Sequence, residues 1–161
     1  MKRVIFLLVV VLLVGELFAK EKEIIGRVVS VSDGDTIRVL QNKKEYKIRF
    51  FGIDAPEKDQ AFGQKSKQRL SDLVFGKEVK VIWKEKDQYR RYLGIVYLGS
   101  LNINQEMVRG GYAWVYRRYN DDSTMIELET KAKETKQGLW QDDNPTQPWK
   151  FRKNQREDND N

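Results

Sequence analysis

Between Ile24 and Ile53 the chain writes three β-strand patterns in succession, and this run limits the possible folds more than any other feature. Ile24-Ile25-Gly26-Arg27-Val28-Val29-Ser30-Val31 is rich in β-branched residues, passes through Ser32-Asp33-Gly34-Asp35, and returns as Thr36-Ile37-Arg38-Val39-Leu40. An Asp-Gly step between two such runs is a hairpin signal. Gln41-Asn42-Lys43-Lys44 is a second polar turn, and a third strand from Glu45 to Ile53 ends at Asp54-Ala55-Pro56-Glu57. Three consecutive strands with short connections make an antiparallel meander.

Helical spacing follows. Leu70, Leu73 and Val74 mark one face of a helix over residues 64–75, stopped by Gly76. Glu78 to Trp83 and Tyr92 to Leu98 read as two more strands, and Ile103, Met107 and Val108 mark a short helix over residues 103–109. A last helix spans residues 123–137, with Ser123 as N-cap and Gly138 in the C′ position. Five strands with a helix between the third and fourth predict an α+β domain: a five-stranded Greek-key barrel of the oligonucleotide-binding (OB-fold) type with about three helices. Such a barrel is a generic scaffold, so function has to be argued from a site.

The two ends of the 161-residue chain read differently from its middle. Lys2 and Arg3, the apolar run Val4 to Val14, and the small and mixed residues up to Ala19 have the layout of an export signal. The run is too short for a spanning helix, which needs about 20 apolar residues. Residues 1–19 are thus expected to be a signal peptide, cleaved after Ala19 or kept as an N-terminal anchor, and the protein to be secreted, periplasmic or membrane-tethered. Residues 20–140 form one domain, and residues 141–161, polar apart from Trp149 and Phe151, read as a disordered tail.

The chain has no Cys and no His, so catalysis here must run on carboxylates, basic groups, hydroxyls or a hard metal ion. A formal charge of +6 suits simple solubility and equally suits attraction of a polyanion. Asp35 follows the first hairpin turn, while Asp54 and Glu57 bracket the Ala55-Pro56 corner. A meander brings both places to one barrel rim, where three carboxylates repel unless a cation or basic groups offset them. With no soft ligands available, Ca²⁺ is a suitable ion. Each segment alone is also ordinary turn chemistry. Asp33-Gly34-Asp35 does not open an EF-hand loop, because position twelve is Lys44 where a Glu is required. Arg49, alternating with Ile48 and Phe50, is either an outward solvated residue or the partner of those carboxylates.

Three segments carry a more specific message. Asp33-Gly34-Asp35-Thr36, Arg49-Phe50-Phe51-Gly52-Ile53-Asp54-Ala55-Pro56-Glu57 and Asp87-Gln88-Tyr89-Arg90-Arg91-Tyr92-Leu93-Gly94 closely resemble, in order, the signature segments of the staphylococcal (thermonuclease-like) nuclease family. The similarity runs from about Ile24 to Trp140 and includes Gly110-Gly111-Tyr112-Ala113 and Gly138-Leu139-Trp140. The resemblance implies that Asp35, Asp54 and the backbone carbonyl of Ala55 are Ca²⁺ ligands, that Glu57 is the general base, and that Arg49 and Arg91 grip the scissile phosphate. It further implies that Tyr89 and Tyr119 contact the nucleotide. The activity implied is that of an endonuclease cutting single- and double-stranded DNA and RNA with little sequence preference and leaving 3′-phosphate ends, in a monomer with no obligate protein partner.

The chain also departs from the family. Ala55 stands where many members carry Thr, the loop Lys58 to Gly63 is shorter than in well-known members, and Gln88 replaces a basic residue found in some relatives. Arg90 offers the same chemistry as its neighbour Arg91. The alternative reading is an exported module of the same fold that binds nucleic acid without cutting it. Against it, all five positions Asp35, Arg49, Asp54, Glu57 and Arg91 are filled.

Overall fold

Strand β1 (Lys22–Asp33) is long because it serves two neighbours. In a computed structural model, which describes residues 22–159, its first half pairs with β5 (Glu78–Lys86), from Lys22 opposite Trp83 to Arg27 opposite Glu78. Its second half pairs with β2 (Thr36–Gln41), from Arg27 opposite Leu40 to Asp33 opposite Thr36, with two irregularities in register that bend the strand. One strand turning between two partners is how a small sheet makes a barrel corner. β2 continues into β3 (Lys44–Phe50), and β5 pairs with β6 (Tyr92–Leu98). The barrel closes where β3 and β6 meet in parallel, Ile48 opposite Tyr92, Arg49 opposite Leu93 and Phe50 opposite Gly94. The five-stranded OB-type barrel expected from the strand pattern is therefore present and closed.

Alternation fills the barrel. Ile24, Val28, Ile37, Val39, Ile48, Phe50, Val79, Val81 and Val96 are all buried in one cluster. Helix α1 (Gly63–Val74) adds Leu70 and Val74 to that cluster, and α2 (Ile103–Arg109) adds Ile103, Met107 and Val108. The expected third strand is shorter than its sequence pattern. It breaks after Phe50, and Ile53–Asp54 forms a separate strand, β4, because Ile53 and Asp54 pair with Val115 and Trp114 of β8 (Trp114–Val115) and not with the barrel. The short β7 (Leu101–Asn102) extends the edge beyond β6.

Helix α3 (Ser123–Glu134) begins as expected but is capped by Asp122, whose side chain accepts from the Thr124 N–H. It ends three residues before the predicted Gln137, and left-handed Lys136 follows it. Gly138 thus has another job: a Cβ there would lie 2.2 Å from the Gly111 carbonyl oxygen, so the residue lets two backbone segments touch.

The expectation of a disordered tail is corrected. Residues 148–159 form a further helix, α4 (Pro148–Asn159), beside the three that the sequence pattern predicts. No apolar stripe holds it, which is why composition gave no hint of it. Trp149 holds it, packed against a second cluster of Trp114, Ala132, Leu139 and Trp140. The segment read as a signal peptide, residues 1–19, lies outside the described residues.

Candidate active site

Asp35 is placed by a two-residue connection, Gly34-Asp35, between the Asp33–Thr36 pair that ends the first ladder. Its N–H donates to Asp33 Oδ1 at 3.2 Å, a local turn bond of the kind Asp favours. Gly34 is required for a reason beyond the turn: a Cβ would fall 1.8 Å from Ser66 Oγ of α1. The Asp35 carboxylate is buried, with Oδ1 accepting from Thr36 Oγ1 at 3.0 Å and Oδ2 from the Ala55 N–H at 2.7 Å. The first turn and the Ala55-Pro56 corner are thereby tied together.

Arg49 turns into the site. Its Nη1 donates to the carbonyls of Phe50 (3.0 Å) and Ile53 (2.9 Å), and its Nη2 donates to Asp54 Oδ1 (2.8 Å) with Asp35 Oδ2 at 3.1 Å. Of the two orientations that strand alternation left open, the inward one is found. The turn that carries Asp54 is fixed from outside as well. Buried Asn104 donates to the Phe51 carbonyl at 3.0 Å and accepts from the Val96 N–H at 3.0 Å, and the Gly52 carbonyl accepts from the Tyr116 N–H at 2.9 Å.

Asp54 is 1% exposed, and burial, followed by the nearby Asp35 charge, raises its carboxyl above the ordinary range despite the opposing pull of Arg152 and Arg49. Asp33, at the mouth, is pushed up to about 7 by burial and by the Asp35 charge. Glu57 stands at the rim with its side chain 37% exposed. Its N–H donates to Gln60 Oε1 at 3.1 Å, and buried Gln60 donates in turn to the Thr146 carbonyl at 2.5 Å.

The predicted convergence of carboxylates needing an offset is answered by two guanidinium groups. Arg49 is one, and Arg152 of α4 is the other: Nη2 donates to Asp54 Oδ2 at 2.7 Å, and Nη1 to Glu57 Oε1 at 2.5 Å and Asp54 Oδ1 at 3.2 Å. Among the described residues no three acidic side chains gather into a ready metal cage. Sequence reasoning missed Arg152, Gln60 and Asn104, and the polar tail carries no signal for Arg152 beyond the nearby Trp149.

Arg91 lines the same cleft. Its Nε donates to Asp87 Oδ2 at 2.6 Å, and its guanidinium lies 5.4 Å from the centre of the Tyr89 ring. Burial pushes the Asp87 carboxyl up, but bonds from the Arg91 backbone and side chain, the Arg91 charge and the Tyr89 N–H outweigh it and hold that carboxyl below the ordinary range. Arg90 takes the left-handed turn position, exposed and outside the cleft lining. Tyr89 and Tyr119, both largely exposed, edge the cleft, and Tyr116 lies between Tyr119 (5.1 Å) and Trp149, which stacks on it at 5.3 Å and 17°. The cleft encloses about 690 Å³ and is lined by every predicted site residue: Asp35, Arg49, Asp54, Ala55, Glu57, Tyr89, Arg91 and Tyr119.

The sequence is similar to those of known proteins. Residues 47–142 match the family model described as staphylococcal nuclease homologue. An "uncharacterized endonuclease" of Haemophilus influenzae is 47% identical over 131 residues, covering 81% of this chain and 74% of that protein. A "micrococcal nuclease" of Shigella flexneri is 46% identical over 139 residues, covering 80% of each. A "probable staphylococcal-like nuclease" of Oryza sativa subsp. japonica is 35% identical over 130 residues, which is 81% of this chain but 33% of that protein. The matched stretch holds Arg49, Asp54, Glu57 and Arg91, all lining one cleft, and the chain belongs to the staphylococcal nuclease family.

Proposed function

We propose that the protein is a calcium-dependent phosphodiesterase, an endonuclease that hydrolyses DNA and RNA with little sequence preference and leaves 3′-phosphate ends. The observation that carries this reading is the junction of Asp35, Arg49 and Asp54, with Glu57 and Arg91 on the same cleft. Every donor there is oxygen, from two buried carboxylates and the Ala55 backbone beside them, which suits a hard divalent cation. Asp35, Asp54 and the Ala55 carbonyl would hold Ca²⁺, which when bound supplies Lewis-acid polarisation of a phosphoryl oxygen and a more acidic water.

The protein groups do the rest. A rim carboxylate such as Glu57 is placed to take a proton from the attacking water at an Oε atom as the new O–P bond forms. Arg49 and Arg91 bond the non-bridging oxygens and neutralise the charge that grows there in the transition state, a task suited to a planar guanidinium with paired donors. The 5′-oxygen departs as an alcohol once protonated by solvent, leaving the phosphate on the 3′-oxygen. Tyr89 and Tyr119, exposed at the edge, offer stacking faces that any base can use. The layout of residues 2–19 supports export, with the protein acting as a monomer outside the cytoplasm or tethered to the membrane.

The purified protein should degrade single-stranded DNA and RNA with Ca²⁺, stop with a chelator, and yield 3′-phosphate ends. Undiminished cleavage in excess chelator would overturn the metal dependence. Tight binding of nucleic acid with no cleavage would favour the non-catalytic module.

A further inference from the structure

The first turns of helix α4 pack on the rest of the protein. Trp149 stacks on Tyr116 and packs edge-on against Trp114 at 5.9 Å. Pro148 is buried, and the preceding Thr146 carbonyl is held by Gln60. Three residues after Trp149, on the same helix face, Arg152 reaches Asp54 and Glu57. Every described residue after Arg152 is exposed. The contacts that seat this helix thus include two carboxylates and one aromatic face of the cleft.

We propose that α4 is an autoinhibitory plug, in which Arg152 competes with the divalent cation for Asp54 and occupies Glu57, while Trp149 covers the Tyr116 face that a base would use. This rests on the function proposed above. The guanidinium bonds both oxygens of Asp54 and one of Glu57, so it uses the lone pairs that cation binding and proton transfer need. A second positive charge on the same carboxylate would be repelled by the first. Trp149 on Tyr116 is a ring on a ring, the contact a stacked base makes. The seating is built to be reversible: the Arg152 side chain is 38% exposed, and the indole of Trp149 is only partly buried against the second cluster. Cation and polyanion entering together would displace guanidinium and indole in one movement, so substrate opens its own site. The apparent cation affinity of the full chain is lowered by the fraction of molecules in which the plug is out.

The test measures binding of Ca²⁺ alone by titration calorimetry to the full chain and to Arg152→Ala, Trp149→Ala and Arg156→Ala. Arg152→Ala and Trp149→Ala should each bind Ca²⁺ on the order of fivefold more tightly, the first by removing the competitor and the second by unseating it with its charge still on the chain. Arg156→Ala removes the same charge one turn further along the same helix, at an exposed position, and should stay within about twofold of the parent, since an exposed charge at that range is largely screened. Equal affinity in all four, or weaker binding by Arg152→Ala, overturns the plug. A second readout uses trypsin on the unsubstituted chain: cleavage after Arg152 or Lys153 should speed up when Ca²⁺ and a cleavage-resistant phosphorothioate oligothymidylate are added together. An unchanged or slower rate also overturns the proposal. If Ca²⁺ binds none of the four proteins, the cation site itself fails and the plug falls with it. If the parent binds Ca²⁺ and cuts nucleic acid while Arg152→Ala binds it no better, the plug alone is refuted.

Discussion

Arg49 and Arg152 both pair with Asp54, yet they belong to different kinds of structure. Arg49 comes from a barrel strand, and besides the carboxylates it bonds two main-chain carbonyls that flank the Gly52 turn, with its side chain only 13% exposed. Arg152 comes from a terminal helix, bonds only side chains, and is 38% exposed. Identical chemistry thus performs two tasks. A guanidinium that also satisfies backbone carbonyls is part of the fold, whereas one held by carboxylates alone at a surface can be exchanged for another cation.

The contrast sets an order of expected effects. Arg49→Ala should be the most damaging, lowering cleavage by about 10³-fold or more through loss of transition-state charge stabilisation. It should also cost about 3–5 kcal/mol of stability, because buried Asp35 loses its guanidinium partner and buried Asp54 keeps only the exchangeable Arg152. Chemical denaturation beside a cleavage assay measures both, and a variant as stable as the parent would erase the distinction drawn here. Glu57→Gln should reduce turnover by about 10²–10⁴-fold with little change in melting temperature, since the residue stands at the rim. Simultaneous loss of fold would mean that Glu57 is structural.

Arg91 offers an intermediate case, with its side chain 24% exposed and paired to Asp87. The Asp87 carboxyl is held below its ordinary range, so the pair stabilises the fold above the unfolded-state value and loses that contribution as pH falls through the folded-state value. Asp87→Asn should therefore cost about 1 kcal/mol near pH 7 and progressively less as the pH falls below the unfolded-state value toward the folded-state one. A loss that stayed constant across that range would assign the effect to packing. Among the arginines the smallest change in stability is expected from Arg152→Ala, under about 1 kcal/mol at neutral pH by thermal unfolding. A larger loss than for Asp87→Asn would break the ranking by exposure.

How far these features could be read from sequence follows the same division. Asp35 and the corner at Ala55-Pro56 announce themselves locally, since an Asp-Gly step and a Pro after a strand have few other uses. Arg49 was visible as a residue type, but its direction was not, because Tyr46, Ile48 and Phe50 alternate cleanly and place it on the opposite face. It reaches the carboxylates only because the chain breaks at Phe51-Gly52 and brings Asp54 round beneath it. Gly138 looked like a helix stop and proves to be a point of backbone contact, which no local pattern can reveal. Helix α4 was unreadable for a further reason. Its order depends on a carboxylate pair and an indole-binding face built more than thirty residues earlier, and tertiary contacts of that kind leave the local composition polar.

The parallel seam between β3 and β6 puts Arg49 opposite Leu93, two residues from Arg91. The two guanidinium groups are thus jaws mounted on opposite sides of one weld, and their gap is set by the stagger of the barrel. A slip of a single residue at that weld would turn one jaw outward. Closing the barrel and setting that gap are therefore one event: a chain still open along that line carries both arginines but does not hold them across one cleft.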